Sequence, residues 1–153
     1  MNASQLRYFV VQPALESIGP YSEEAEALLM GTAAQESRLK YVRQLGNGPA
    51  LGLFQMEPAT HDDIWKNYLS YKPELINIVL NSIEADRQPK ADRMIWDLRY
   101  AAIMCRLHYR RVPERLPDKH DIWAQAAYWK KYYNTPLGHG TEEEFVRNYR
   151  LIQ

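Results

Sequence analysis

The sequence predicts a mainly α single domain over residues 1–153, with one small irregular or β segment between Glu36 and Thr60. Three observations carry that prediction. Apolar residues recur at spacings of three and four along most of the chain. Residues that favour helix starts stand just ahead of several of those stripes. The helical period breaks in one place, where Gly46-Asn47-Gly48-Pro49 gives a strong turn signal and Gly52 interrupts an apolar run.

The first helix is expected over about Ser4–Ser17, with Leu6, Val10 and Leu15 on one side and Pro13 as a kink or break; Gly19-Pro20 ends it. Ser22 is a good N-cap for the second, and Glu23 and Glu24 suit the positive end of the helix dipole. Its stripe of Ala25, Leu28, Leu29, Thr32 and Ala33 runs up to Gln35-Glu36-Ser37. After the irregular segment, Thr60 is expected to cap a helix through Tyr68, with Ile64, Trp65 and Tyr68 facing inward. Pro73 suits the first turn of a helix to about Ile83. Ala91–Val112 is expected to be the longest and most central helix, with Met94, Leu98, Ala101, Cys105 and His108 on its stripe. Asp118 is expected to cap a helix from Lys119 to Tyr133, and Pro136, Gly138 and Gly140 to form the next loop. Thr141-Glu142-Glu143-Glu144 fits the capping box, opening a last helix with Phe145, Val146 and Tyr149 inward.

Composition narrows the function classes. Hydrophobic residues make up 46% and charged residues 25%, an ordinary globular balance. Nineteen basic residues meet nineteen acidic ones, so no global charge recommends nucleic acid or an anionic membrane as partner. No window approaches the length and apolarity of a membrane-spanning helix, so no membrane insertion is expected. Met1-Asn2-Ala3-Ser4-Gln5-Leu6-Arg7 lacks the basic and apolar regions of a secretory signal. Cys105 has no partner for an internal disulfide and reads as a small core residue. The histidines, His61, His108, His120 and His139, show no metal-ligand spacing, and no metal or organic cofactor is expected. His61 reads as part of a first-turn polar face, His108 as a satisfied core histidine, Trp65 and Trp96 as packing. Arg106, Arg110, Arg111 and Arg115 read as a solvated face that can also meet an anionic polymer or a partner protein.

Glu36 is the residue with most chemical promise. It ends an apolar helix, beside small residues and just before the glycine-containing segment. A carboxylic acid among apolar groups has its pKa raised, so it can hold a proton near neutral pH and pass it to a leaving oxygen. The plain alternative is a surface helix-end Glu paired with Arg38 or Lys40.

Two segments add to this. Gln35-Glu36-Ser37 is followed, sixteen residues after the Glu, by Gly52-Leu53-Phe54-Gln55-Met56-Glu57-Pro58-Ala59-Thr60. The pair resembles the soluble-type lytic transglycosylases and, more broadly, the lysozyme-like superfamily, over about Leu28–Thr60. There a Glu-Ser at a helix end supplies the catalytic acid, and a Gly-Leu-Met-Gln segment lines the sugar cleft; here Phe54 stands for the Met. The resemblance implies a lysozyme-like fold and a glycosidase cleaving the bond between N-acetylmuramic acid and N-acetylglucosamine in peptidoglycan. It implies Glu36 as acid and then base, with Ser37, Gly52, Leu53, Phe54 and Gln55 at the sugar. A third family segment, Ala-Tyr-Asn-x-Gly, is matched by Ala126-Ala127-Tyr128, making Tyr128 the expected cleft tyrosine; Tyr133-Asn134 is the literal alternative. The preferred chemistry is non-hydrolytic, with the muramyl 6-hydroxyl attacking its own ring to leave a 1,6-anhydro product. Glu57, two residues after Gln55, matches an Asp of the goose-type lysozymes and is a possible second carboxylate for a hydrolase. A third reading is a structural protein whose lysozyme-like site is degenerate. The absent signal and small size motivate a bacteriophage origin, with tail or baseplate proteins as partners and the bacterial wall as the place of action.

Overall fold

The Asn2 side chain accepts from the Gln5 amide at 3.2 Å and opens the first helix. The structure is a computed structural model that describes residues 1–134 and 138–153; Pro136, expected in the loop before the last helix, lies outside them. Ala3–Leu6, Arg7–Val11 and Gln12–Ile18 follow one another as a single helical rod, α1 (3–18). Its middle third is a π turn, in which the Gln12 amide reaches back to Arg7 O. The wide turn sits just ahead of Pro13, which has no N–H to continue an α ladder, so Pro13 shifts the helix without ending it.

Ser22 caps α2 (Glu23–Ser37) as expected, its Oγ accepting from the Ala25 amide at 3.1 Å. Eleven of the fifteen residues of α2 are buried, so this helix, longer than the one around Cys105, is the axis of the fold. Its closest crossing is with the last helix, α8 (Glu142–Ile152), at Gly31: a Cβ there would stand 2.4 Å from Phe145 Cζ. Thr32 ties α2 to α6 (Leu98–Arg110) through Tyr109, Oγ1 to hydroxyl 2.8 Å, while Oγ1 also meets Leu28 O.

The expected helix Ala91–Val112 is two helices. α5 (Arg93–Trp96) stops at Asp97, whose carboxylate accepts from the Tyr100 amide at 3.0 Å and starts α6. Asp97 is an N-cap inside an apolar stripe, and a stripe alone does not reveal it. Trp96, expected to pack, is 69% exposed beside Arg93, whose guanidinium lies 5.0 Å from the ring centroid. Cys105 is fully buried, as expected.

α3 (Pro58–Asn67) starts two residues before the expected Thr60 cap, because Pro58 fits the first turn and Glu57 takes the N-cap position. Ile64 and Trp65 are buried and Tyr68 is half-buried against the core. α4 (Pro73–Ser82) follows its sequence closely. α7 (Ile122–Trp129) starts later than expected, with Asp121 and not Asp118 as cap, and passes into a π turn over Lys130–Asn134. Thr141 caps α8, accepting from the Glu144 amide at 3.1 Å.

Between α2 and α3 the chain forms no named strand among the described residues. Isolated antiparallel bridges join Arg43 to Leu51 and Leu51 to Met56, with a short 3₁₀ turn at Leu45–Asn47. The domain is therefore mainly helical with one irregular segment, and among the described residues no helix is long and apolar enough to cross a membrane.

Candidate functional site

The irregular segment folds back over the end of α2 and leaves a cleft of about 690 Å³. Its walls include Gln35, Glu36, Ser37 and Arg38 from the α2 end, Gln55, Met56 and Glu57 from the returning loop, and His108, Tyr133 and Asn134 opposite. Two local geometries place these walls. Arg38 and Leu39 take left-handed backbone angles (φ 53° and 59°), which end α2 and send the buried Leu39 side chain into the core. Gly52 has φ +77°, and a Cβ there would stand 2.6 Å from Met94 O, so the turn packs on the α5 backbone. The next two side chains, Leu53 and Phe54, enter the core, and Gln55, again left-handed at φ 49°, emerges at the cleft.

Glu36 lies at this cleft, half-buried. Its Oε2 accepts a hydrogen bond from Trp129 Nε1 at 3.1 Å, and Trp129 itself is fully buried against Phe145. Among the described residues no ion pair joins Glu36 to Arg38 or Lys40. Burial therefore dominates and pushes the Glu36 carboxyl up to about 7, with the Trp129 bond pulling weakly the other way. A carboxyl in this state is half protonated near neutral pH and faces open space. It can give a proton to a leaving oxygen and take one back.

The other expected site residues divide. Gln55 lines the cleft; its Nε2 donates to Gly52 O at 2.9 Å, which fixes the side chain to its own turn and leaves Oε1 without a partner among the described residues. Glu57 lines the same cleft and is exposed. Ser37 is not placed to hold a ligand: it is 1% exposed, its Oγ donates to Ala33 O and accepts from the Leu39 amide. Gly52, Leu53 and Phe54 are core and turn residues, not cleft walls, because an alternating apolar segment that turns at Gly52 must bury its large side chains. Tyr128 is also misplaced by the sequence reading: its hydroxyl donates to Glu114 O at 2.8 Å, away from the cleft. Of the two candidates it is Tyr133, in the literal Tyr-Asn pair, that lines the cleft. Its hydroxyl donates to Phe54 O at 2.6 Å, bracing the loop, and its ring stacks on Tyr109 at 5.3 Å. Asn134 Oδ1 accepts from Lys130 Nζ at 2.8 Å, and Lys130 also holds Gly138 O.

Other contributors take places that the sequence does not give them. Trp129 reaches Glu36 across 93 positions, a separation that no local pattern spans. Tyr41 lines the cleft from the irregular segment. The two internal histidines exchange their expected places. His61 is fully buried, its Nε2 2.6 Å from the Tyr100 hydroxyl and its Nδ1 2.8 Å from Asp62. His108 is half-buried and lines the cleft. Nor is the arginine group a simple solvated face: Arg110 donates to Gly19 O at 2.8 Å and Arg111 pairs with Asp63 at 2.7 Å. Among the described residues no group of His, Cys, Asp and Glu has the arrangement to hold a metal ion.

No family model matches this chain, and no match was found among curated proteins or among solved structures.

Proposed function

We propose that this chain is a peptidoglycan-cleaving glycosidase, a lytic transglycosylase in which Glu36 is the one essential acid and base. The observation that carries the reading is the half-buried Glu36 carboxyl, without an ion-pair partner among the described residues and raised to about 7, at the wall of an open cleft beside Gln55. An open cleft of about 690 Å³ supports an enzyme over a scaffold, whose site would be filled; Trp129 lies beneath Glu36 and Tyr133 stands at the wall.

Protonated Glu36 gives its proton to the glycosidic oxygen between muramic acid and glucosamine as the bond from C1 to that oxygen breaks. The carboxylate then removes the proton from the muramyl 6-hydroxyl, whose oxygen bonds to C1. The product is a 1,6-anhydro sugar and Glu36 is again protonated, so no second carboxylate and no cofactor enters the cycle. Glu57 supports a second reading, because it shares the cleft and inverting hydrolysis uses a base across the bond from the acid. In that case water, not the 6-hydroxyl, attacks. The bacterial wall is the proposed place of action, and a phage tail or baseplate the proposed carrier.

Digestion of purified peptidoglycan, followed by mass spectrometry of the muropeptides, tests this. Anhydromuramyl products that vanish with Glu36→Gln are expected. Reducing muramic acid ends that vanish with both Glu36→Gln and Glu57→Gln would select the hydrolase. No products from folded wild-type protein would overturn the enzyme reading.

A further inference from the structure

His61 is fully buried and His108 half-buried, and the two are bonded differently. His61 engages both ring nitrogens inside the protein. Trp65 Nε1 donates to the Tyr100 hydroxyl at 2.8 Å, the hydroxyl donates to His61 Nε2, and Nδ1–H faces Asp62. His108 engages one. Arg111, which can only donate, bonds to His108 Nδ1 at 2.7 Å. Nδ1 is therefore the acceptor nitrogen, and the ring proton sits on Nε2. Arg111 is held in turn by Asp63 at 2.7 Å, and Asp63 by Asn67 at 2.5 Å.

The second nitrogen of His108 has no partner among the described residues. The open space that His108 lines is the cleft shared by Glu36, Gln55 and Tyr133. The ring is steadied edge-on to Tyr133, centroids 4.9 Å apart. Burial, and then the Arg111 charge, push its pKa down to about 4, so the ring is neutral wherever Glu36 titrates. A neutral Nε2–H in a sugar-sized cleft serves a ligand as a hydrogen-bond donor. Among glycan oxygens the acetamido carbonyl is the strongest neutral acceptor.

We propose that His108 is a substrate-binding residue that donates from Nε2 to an acetamido carbonyl of the glycan in the cleft, with Arg111 and Asp63 as positioning residues that fix its tautomer. This rests on the glycosidase reading and names a contact that reading does not require.

The test uses full-length Glu36→Gln protein, which binds without turnover, with the N-acetylglucosamine trimer as probe. Imidazole ¹⁵N spectra are expected to show protonated Nε2 and bare Nδ1 on His108 between about pH 6 and 8; a protonated Nδ1 or an imidazolium overturns the proposal. Arg111→Met is expected to mix the two tautomers, whereas a bulk structural role would leave the tautomer unchanged. Saturating probe is expected to shift the His108 Nε2–H signal. His108→Phe is expected to weaken binding about five- to tenfold, and His108→Gln, which keeps an amide donor, to retain most of it. Saturable binding that ignores His108 and survives His108→Phe overturns this proposal while leaving the glycosidase reading intact. Absence of both probe binding and muropeptide products from wild type overturns the two together.

Discussion

The two ends of α2 carry glutamates that began alike and were treated in opposite ways. Glu26 is enclosed near the start of the helix, 4% exposed, and burial opposes its charge. Hydrogen bonds from Tyr21, Arg7 (2.8 Å) and Gln12 (3.0 Å) outweigh that and hold it below the usual glutamate value. Glu36, near the other end, is also opposed by burial, and its one side-chain donor among the described residues is the neutral Trp129. The comparison teaches that enclosure alone does not make an acid catalyst: the number and charge of the donors decide whether the proton stays. Glu26 is a clamp joining α1 to α2; Glu36 is an acid left undersatisfied at a cleft.

Exchanging the two carboxyls for amides sharpens this contrast most. Glu36→Gln is expected to abolish peptidoglycan cleavage, a loss of about 10²–10⁴-fold, with the fold intact. Glu26→Gln is expected to leave the cleavage chemistry in place and to lower unfolding free energy by about 1–2 kcal/mol, because the half-buried Arg7 loses its counter-ion. Urea unfolding and turnover, measured on both variants, would break the contrast if the two effects were interchanged.

The pH dependence of stability gives the next largest effect. The Glu36 pKa is raised from 4.5 to about 7, so the folded state keeps a proton that the unfolded chain releases in that interval. Its stabilisation is complete below the unfolded value and is lost as pH rises through the folded one. Wild type is therefore expected to lose about 2 kcal/mol relative to Glu36→Gln between pH 4.5 and 8, after allowing for partial exposure. The Glu26 contribution runs the other way, present above the ordinary glutamate value and lost as pH falls through its lowered folded value.

Much of the helical frame was readable because its signals are local. Ser22 and Thr141 cap as expected, and Pro73 starts its helix, each through contacts within one turn. Asp97 was missed because it caps within an apolar stripe, and Asp118 was taken for the cap that Asp121 provides. In the site, Glu36 and Gln55 were legible as helix end and turn end. Tyr128 is favoured in the sequence by the Ala126-Ala127 before it, and a motif match of that kind does not register the π turn over Lys130–Asn134 that carries Tyr133. His108 and His61 were exchanged because periodicity assigns a face and not what lies against it. Trp129's bond to Glu36 depends on α7 packing beneath α2, which only the folded chain brings about.

The smallest expected effect isolates the one donor on Glu36. Trp129→Phe removes the bond that favours the charged form, so the alkaline limb of cleavage is expected to move to higher pH by less than about one unit. A downward shift would mean that Trp129 raises the pKa, against its role here.

The most direct measurement is a carboxyl ¹³C titration of Glu36 and Glu26 in the intact protein. Glu36 is expected to titrate near 7 and Glu26 below the ordinary glutamate value. A Glu36 midpoint at the ordinary glutamate value would contradict the account, because the carboxyl would then hold no proton to donate at neutral pH.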